Sequence, residues 1–62
     1  MYCKCKDNTS FPKARLFGLG IIYRCFWYND AQTKVRVMRT MPWDAPVIID
    51  RDDFLRCFDY WE

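Results

Sequence analysis

Hydrophobic and polar positions alternate most regularly between residues 19 and 41. The run LGIIYRCFWY has high strand propensity, and the alternation resumes after five residues in KVRVMRTM. The intervening NDAQT is typical of a turn. Gly18 and Gly20 stand just before the first run and indicate a bend or a close backbone approach. The pattern predicts a β-hairpin within residues 14–41, with the remaining segments packed on it.

The two faces of this hairpin follow from its register. If Tyr28 faces Lys34, position 27 pairs with 35, 25 with 37 and 21 with 41, and the side chains separate into an apolar and a polar set. A slip of one residue would mix the two sets, so the first register is preferred. The predicted core face carries Ile21, Cys25, Trp27, Val35, Val37 and Met41.

The opposite face interleaves cations with aromatic rings, and we call it the basic aromatic face: Arg24, Phe26, Tyr28, Lys34 and Arg36. This composition suits a surface that neutralises phosphates and stacks bases. It equally suits a protein-binding hot spot, or a solvated sheet face stabilised by Arg–aromatic pairs. Trp43, in the proline-rich connector that follows, is a further candidate contact residue and alternatively a lid on the core.

The segments on either side complete a single small domain, residues 1–62. Residues 1–13 form an N-terminal arm. Its residues 1–6 are either a short edge strand or a loose tail, with a K-x-K pattern typical of a protected edge, and residues 6–13 are turn-forming. Residues 46–62 supply a short strand from Pro46 to Ile49 and then a helix over 51–61. The predicted fold is α+β, with three or four antiparallel strands and a C-terminal amphipathic helix.

That helix has a clear period of 3.6 residues. Asp50 is placed to cap it, and Asp52 and Arg56 are spaced for an i,i+4 ion pair. Its apolar arc is expected to lie on the core face of the hairpin. The arc consists of Phe54, Leu55, Cys57, Phe58 and Trp61, and the polar arc of Asp52, Asp53, Arg56, Asp59 and Tyr60.

The chain carries four cysteines and no histidine. Two disulfides, a zinc site and structural thiols are the open interpretations. The only close pair is Cys3-x-Cys5, which is unlike the spacing of a structural zinc site, so no metal ligands are assigned and no cofactor is expected. Cys25 and Cys57 are expected to be buried thiols. Cys3 and Cys5 are expected at the surface, where the neighbouring lysines favour thiolates.

Charge and composition restrict the function further. The net charge is +2, but residues 1–39 carry eight basic side chains against two acidic ones, and residues 40–62 carry two against six. Either the two halves pair with each other or the basic half meets a charged partner. Twelve aromatic rings exceed what a 62-residue domain easily buries, which indicates a contact surface. No export signal or membrane span is seen, which favours a cytoplasmic protein.

An enzyme is not expected. The chain has no histidine for acid–base chemistry near neutral pH, and its single serine, Ser10, has no base beside it in the sequence. A chain of this length also has little capacity for a water-excluding pocket. No catalytic residues are therefore assigned.

From about Arg15 to Trp61 the order is hairpin, proline-containing connector, short strand and a turn carrying Phe54-x-x-x-Phe58. This resembles small phage-encoded proteins with partly open SH3-like barrels. The resemblance implies a non-enzymatic phage or prophage accessory protein that modulates a host factor by binding it. The function we predict is binding to a host or defence protein, which the chain modulates or inhibits in the host cytosol, with a homodimer as a candidate state. Unlike that pattern, residues 51–61 are predicted as one longer helix without a final strand. Non-specific nucleic-acid binding is the alternative function, and a small structural zinc module is the third.

Overall fold

The computed structural model describes residues 1–39 and 45–62. The elements in chain order are β1 (Tyr2–Cys5), a 3₁₀ helix (Pro12–Leu16), β2 (Ile22–Trp27), β3 (Lys34–Met38), β4 (Val47–Asp50), α1 (Arg51–Cys57) and β5 (Phe58–Trp61). The strands form one antiparallel sheet in the order β4-β3-β2-β1-β5. The predicted α+β class is confirmed, but the open sheet has five strands rather than three or four.

The hairpin of β2 and β3 has the predicted register. The paired residues are Arg24 with Met38, Cys25 with Val37, Phe26 with Arg36 and Trp27 with Val35. Because side chains alternate along each strand, Cys25, Val35 and Val37 turn to one side, where they are fully buried. The predicted partner of position 21, Met41, lies outside the described residues.

Ile21 is not the core residue that the alternation predicts. It precedes β2 and is 46% exposed, and Trp27 at the other end of the strand is only half-buried. The core beneath the start of β2 is filled instead by Phe17, whose ring packs edge-on against Tyr23, 5.1 Å between centroids. An aromatic residue from the preceding 3₁₀ segment therefore takes the place expected for Ile21.

The first part of the N-terminal arm, Tyr2–Cys5, is an interior strand, which corrects the expectation of an edge strand or a loose tail for residues 1–6. β1 pairs with β2 through Cys3 opposite Tyr23, and on its other side with β5 through Cys3 opposite Tyr60. A strand with neighbours on both sides has its backbone groups satisfied from both directions. Cys3 and Cys5 consequently point into the core and are buried, not exposed.

The C-terminal segment divides into a short helix and a strand. α1 ends at Cys57, and Phe58 has extended backbone angles, φ −133° and ψ 144°. From there the chain pairs with the outer side of β1, so a final strand exists where one longer helix was predicted. Trp61 and Leu55 are 42% and 39% exposed, respectively, and do not belong to the core.

Two polar contacts of the helix also differ from prediction. Asp50 occupies the N-cap position but makes no side-chain cap hydrogen bond. Its carboxylate instead accepts from the Lys34 ammonium group at 3.0 Å. The Arg56 guanidinium pairs with the Asp53 carboxylate at 2.9 Å, so its partner is three residues away rather than the predicted Asp52, four residues away.

The core lies between the sheet and α1. Its large rings are Phe17, Phe54 and Phe58, with Phe54 stacked on Phe58 at 5.2 Å and Phe17 edge-on to Phe58 at 5.2 Å. These side chains come from three separate segments, so their burial ties the 3₁₀ helix, α1 and β5 together. Removing one such buried ring typically costs about 3–5 kcal/mol of folding free energy.

Asp7 organises the turn after β1. Its carboxylate accepts hydrogen bonds from the Thr9 amide at 2.8 Å, the Thr9 hydroxyl at 2.9 Å and the Ser10 hydroxyl. The Ser10 hydrogen bond, followed by those from Thr9, lowers the pKa of Asp7 to about 2. These donors favour the charged carboxylate, so the turn is an Asx-type cap that depends on ionisation.

We expect Asp7→Asn to lower the stability of the protein at pH 7. Because the folded-state pKa is depressed, the wild-type advantage is complete above the unfolded value, about 3.9, and is lost as pH falls through about 2. Denaturant unfolding at several pH values measures the gap between the two proteins, with Asp30→Asn in the exposed hairpin turn as the control. A gap for Asp7→Asn that stays constant down to pH 2 would contradict this assignment.

Candidate functional site

The sheet has one covered and one open side. α1 contacts β3 and β4 on the core side, and the alternate residues of all five strands point the other way. We call this second side the outer sheet face. It contains the basic aromatic face together with Tyr2, Lys4, Ile22, Met38, Ile48, Asp50, Asp59 and Trp61. All these residues are exposed except Met38 and Ile48, which are half-buried.

Phe26 lies at the centre of the basic aromatic face and is 38% exposed. The guanidinium carbon of Arg24 lies 5.9 Å from its ring centroid, and that of Arg36 lies 5.7 Å from it. Arg36 is the cross-strand partner of Phe26, whereas Arg24 precedes it by two residues on the same strand. Cation–π contacts at exposed sites contribute about 0.5–1 kcal/mol each, enough to favour one arrangement of two long side chains.

Neither Arg24 nor Arg36 forms an ion pair with a carboxylate in the described part of the chain. Their positive charge is therefore presented to solvent, on side chains whose guanidinium groups lie near the Phe26 ring. A guanidinium held in this way keeps its N–H edge available for a planar acceptor such as a carboxylate or a phosphate. The predicted combination of cations and rings is thus brought together at this position.

Lys34 is on the same face but has a partner. Its ammonium group lies 3.0 Å from the Asp50 carboxylate across the β3–β4 pairing. Both side chains are largely exposed, so the pair adds little stability, within about 1 kcal/mol. Its main consequence is that Lys34 contributes less positive charge to the face than the sequence suggests.

Two predicted contact residues remain, Tyr28 and Trp43. Tyr28, just beyond the end of β2, is 57% exposed and stands at the margin of the face. Trp43 lies outside the described residues, so its place relative to the face is not described.

Sequence reasoning missed the part of the outer sheet face that β1 and β5 supply. Tyr2 stacks on Trp61, with 6.4 Å between ring centroids and 27° between ring planes. Tyr2 is also the cross-strand neighbour of Arg24, which pairs with Met38 on its other side. One row across the sheet therefore reads Trp61, Tyr2, Arg24, Met38. The apolar Cys3 between Tyr2 and Lys4 is the alternation of a strand, and this pattern could have indicated that Tyr2 and Lys4 share one face.

A second ion pair lies at the β5 side of this face. The Lys6 ammonium group is 3.2 Å from Asp59, and Asp59 is also the cross-strand partner of Lys4. Carboxylates consequently border the outer sheet face on both sides, Asp50 on β4 and Asp59 on β5. Three cations on the strands between these carboxylates form no ion pair in the described part of the chain: Lys4 on β1, and Arg24 and Arg36 beside Phe26.

The four cysteines lie in the core, away from the outer sheet face. All four are free thiols and all are buried. A hydrogen bond with Cys25, together with burial, raises the pKa of Cys3 far above the ordinary thiol value. Burial likewise raises the pKa of Cys5 and of Cys57. Raised pKa values keep a thiol protonated and poorly nucleophilic, which contradicts the expectation of thiolates at Cys3 and Cys5.

The described residues offer no group of three or more cysteine or acidic side chains close enough together to hold a metal ion. A structural zinc site requires four ligands around one point. Within residues 1–39 and 45–62 the thiols instead take part in the core as small apolar groups.

No protein-family model, curated protein sequence or solved structure matches the chain. Among the helices of the described residues, none is both long enough and apolar enough to cross a membrane.

Thiol reactivity tests the cysteine assignment. We expect the folded protein at pH 8 to react with a disulfide reagent at least about 100-fold more slowly than the protein in denaturant, because each thiol must first be exposed by local opening. The denatured control should react with four equivalents of the reagent, one for each cysteine. Rapid labelling of one or two thiols in the folded protein would show that Cys3 or Cys5 is accessible after all.

Proposed function

We propose that this chain is a small non-enzymatic binding protein that uses the basic aromatic face to hold a protein partner. The observation that carries the proposal is the pair of guanidinium groups on exposed Phe26, neither of which has a carboxylate partner among the described residues. In keeping with the phage-type resemblance, the partner would be a host or defence protein that the chain modulates or inhibits in the cytoplasm.

The arrangement suits a protein surface for an energetic reason. Hot spots of protein interfaces are enriched in aromatic residues and Arg, and a side chain already held in place loses less entropy on binding. Arg24 and Arg36 are held against Phe26, and the adjoining row adds the Tyr2–Trp61 stack. An acidic patch with apolar side chains at its centre is the complementary partner surface.

A nucleic acid fits this face less well. Base stacking needs a free aromatic surface, and the central ring of the face, Phe26, already has two guanidinium groups beside it, which leaves this ring less free to stack a base. Lys34 and Lys6 are already paired with Asp50 and Asp59 on either side, so these two pairs add no net positive charge to attract a polyanion that crosses the sheet. These two features support the proposal of a protein partner over the nucleic-acid alternative.

Substitutions on the face test the proposal. We expect Phe26→Ala and Arg36→Ala each to weaken partner binding by about 2 kcal/mol or more, roughly thirtyfold, because each removes part of a desolvated hot spot. Pull-down from a bacterial lysate, quantified by mass spectrometry, identifies a candidate partner. Titration with that purified protein then gives the affinities.

Two exposed residues away from the face provide matched controls. Leu55→Ala removes a side chain as exposed as Phe26, 39% against 38%, and Arg15→Ala removes an exposed cation from the 3₁₀ helix. Both should bind the partner as the wild type does. If Phe26→Ala and Arg36→Ala fold normally and keep full affinity, the basic aromatic face is not the binding site.

Arg36→Lys separates the two classes of partner, since it keeps the charge but loses the planar guanidinium. For a protein partner we expect a loss close to that of Arg36→Ala. Titration of single-stranded and duplex oligonucleotides at about 50 mM salt should detect no binding. Binding that weakens steeply with added salt and survives Arg36→Lys would make nucleic acid the partner instead.

A further inference from the structure

The two edges of the sheet are protected very differently. At the β4 edge, the Lys13 ammonium group donates to the backbone carbonyl oxygen of Ile48 at 3.0 Å. Pro46 stands just before the strand, and Asp50 closes it with a charge. A lysine, a proline and a charge are the devices by which natural sheets prevent a second strand from adding to an edge.

The hydrogen bonds of β1 show which backbone groups of β5 point away from the sheet. Cys25 N donates to Met1 O at 2.9 Å, and Cys5 N donates to Ile21 O at 3.1 Å, so the odd-numbered residues of this segment turn towards β2. The even-numbered residues turn towards β5, as in the bond from Lys6 N to Cys57 O at 2.8 Å. Backbone groups alternate in direction along an antiparallel strand.

It follows that Phe58 and Tyr60 direct their backbone groups away from the sheet. The Phe58 amide is satisfied, because it donates to the Phe54 carbonyl oxygen at the end of α1. The Phe58 carbonyl and both backbone groups of Tyr60 have no backbone partner in the described part of the chain. β5 has the sequence Phe-Asp-Tyr-Trp, without lysine or proline, and its one charged residue, Asp59, already pairs with Lys6.

We propose that β5 pairs with β5 of a second copy of this chain, antiparallel and centred on Tyr60. In this register each Tyr60 amide donates to the Tyr60 carbonyl oxygen of the other copy. Each Glu62 amide, which alternation also directs outwards, donates to the Phe58 carbonyl oxygen opposite. The register satisfies the free outward groups of Phe58 and Tyr60 on both copies, and it requires nothing of the Phe58 amide, which is already in use.

A second copy suits this edge better than an arbitrary extended peptide. Trp61 is 42% exposed and carries Tyr2 stacked on the side towards β1. The twofold axis then passes between the two Tyr60 residues. Trp61 of one copy lies diagonally across the strand pair from Trp61 of the other, on the outer sheet face. Large aromatic side chains can contact each other across this diagonal. Two Tyr2–Trp61 stacks would thus meet at the centre of a ten-stranded sheet, in an isologous contact that closes on itself.

The inference does not rest on the proposed function, and it is tested on the purified protein alone. Sedimentation velocity from about 10 μM to 1 mM covers the range expected of a small interface made by one short strand from each copy. We expect a monomer–dimer equilibrium. Amide exchange should slow at least about tenfold at Tyr60 between the dilute and concentrated samples. The outward amides of Ile48 and Asp50, at the protected β4 edge, should not change.

Variants identify the surface used. Tyr60→Pro removes the central amide, and Trp61→Lys leaves the backbone intact but adds a charge beside the twofold axis. Each should weaken dimerisation at least about tenfold, while Phe26→Lys, the same kind of charge on an interior strand, should leave it unchanged. A monomer at 1 mM would overturn the proposal. So would a dimer whose Tyr60 amide exchange is independent of concentration, or one that Phe26→Lys abolishes and Trp61→Lys spares.

Discussion

The pairing of β1 with two neighbours is the constraint on which the rest of the structure depends. The first residues of the chain enter the sheet beside β2, and their other side then requires a partner. Buried or half-buried backbone groups without a partner cost about 1–3 kcal/mol each. The last residues of the chain meet this requirement, which ends α1 at Cys57 and turns Phe58 into an extended conformation. Both ends of the chain are thereby fixed to each other.

The same pairing determines what the two sides of the sheet carry. Because β1 and β5 alternate in phase with β2, their thiols and Phe58 join the core, while Tyr2 and Trp61 join Arg24 on the outer sheet face. A hairpin alone would present a narrow strip of side chains. With five strands the strip becomes a broader surface, with Phe26 on its central strand.

The hairpin could be predicted from the sequence because its information is local. Alternating side chains and a turn-forming loop specify both the strands and the register, and the pairing of Cys25 with Val37 was predicted on this basis. The contacts that place Arg24 and Arg36 against Phe26 follow from that register, so most of the candidate site was accessible to sequence reasoning as well.

The strand β5 could not be predicted in the same way. Phe54, Phe58 and Trp61 are spaced at i, i+4 and i+7, which fits one face of a continuous helix as well as it fits a helix followed by a strand. The choice depends on whether an unpaired strand lies nearby, and that strand is more than fifty residues earlier in the chain. Cys3 and Cys5 were misplaced for the same reason, since their burial depends on β5.

The uneven distribution of charge along the sequence has two explanations: the two halves pair with each other, or the basic half meets a charged partner. In the structure some of the charged residues fit the first explanation and others fit the second. Lys6 with Asp59 and Lys34 with Asp50 join the basic first part of the chain to the acidic second part. These pairs lie at the two sides of the sheet and are satisfied internally. Arg24 and Arg36, between them, are held against a ring rather than a carboxylate of the described residues. The two ion pairs and the two arginines without a carboxylate partner among the described residues therefore support the proposal of an acidic protein patch, rather than an extended polyanion, as the partner surface.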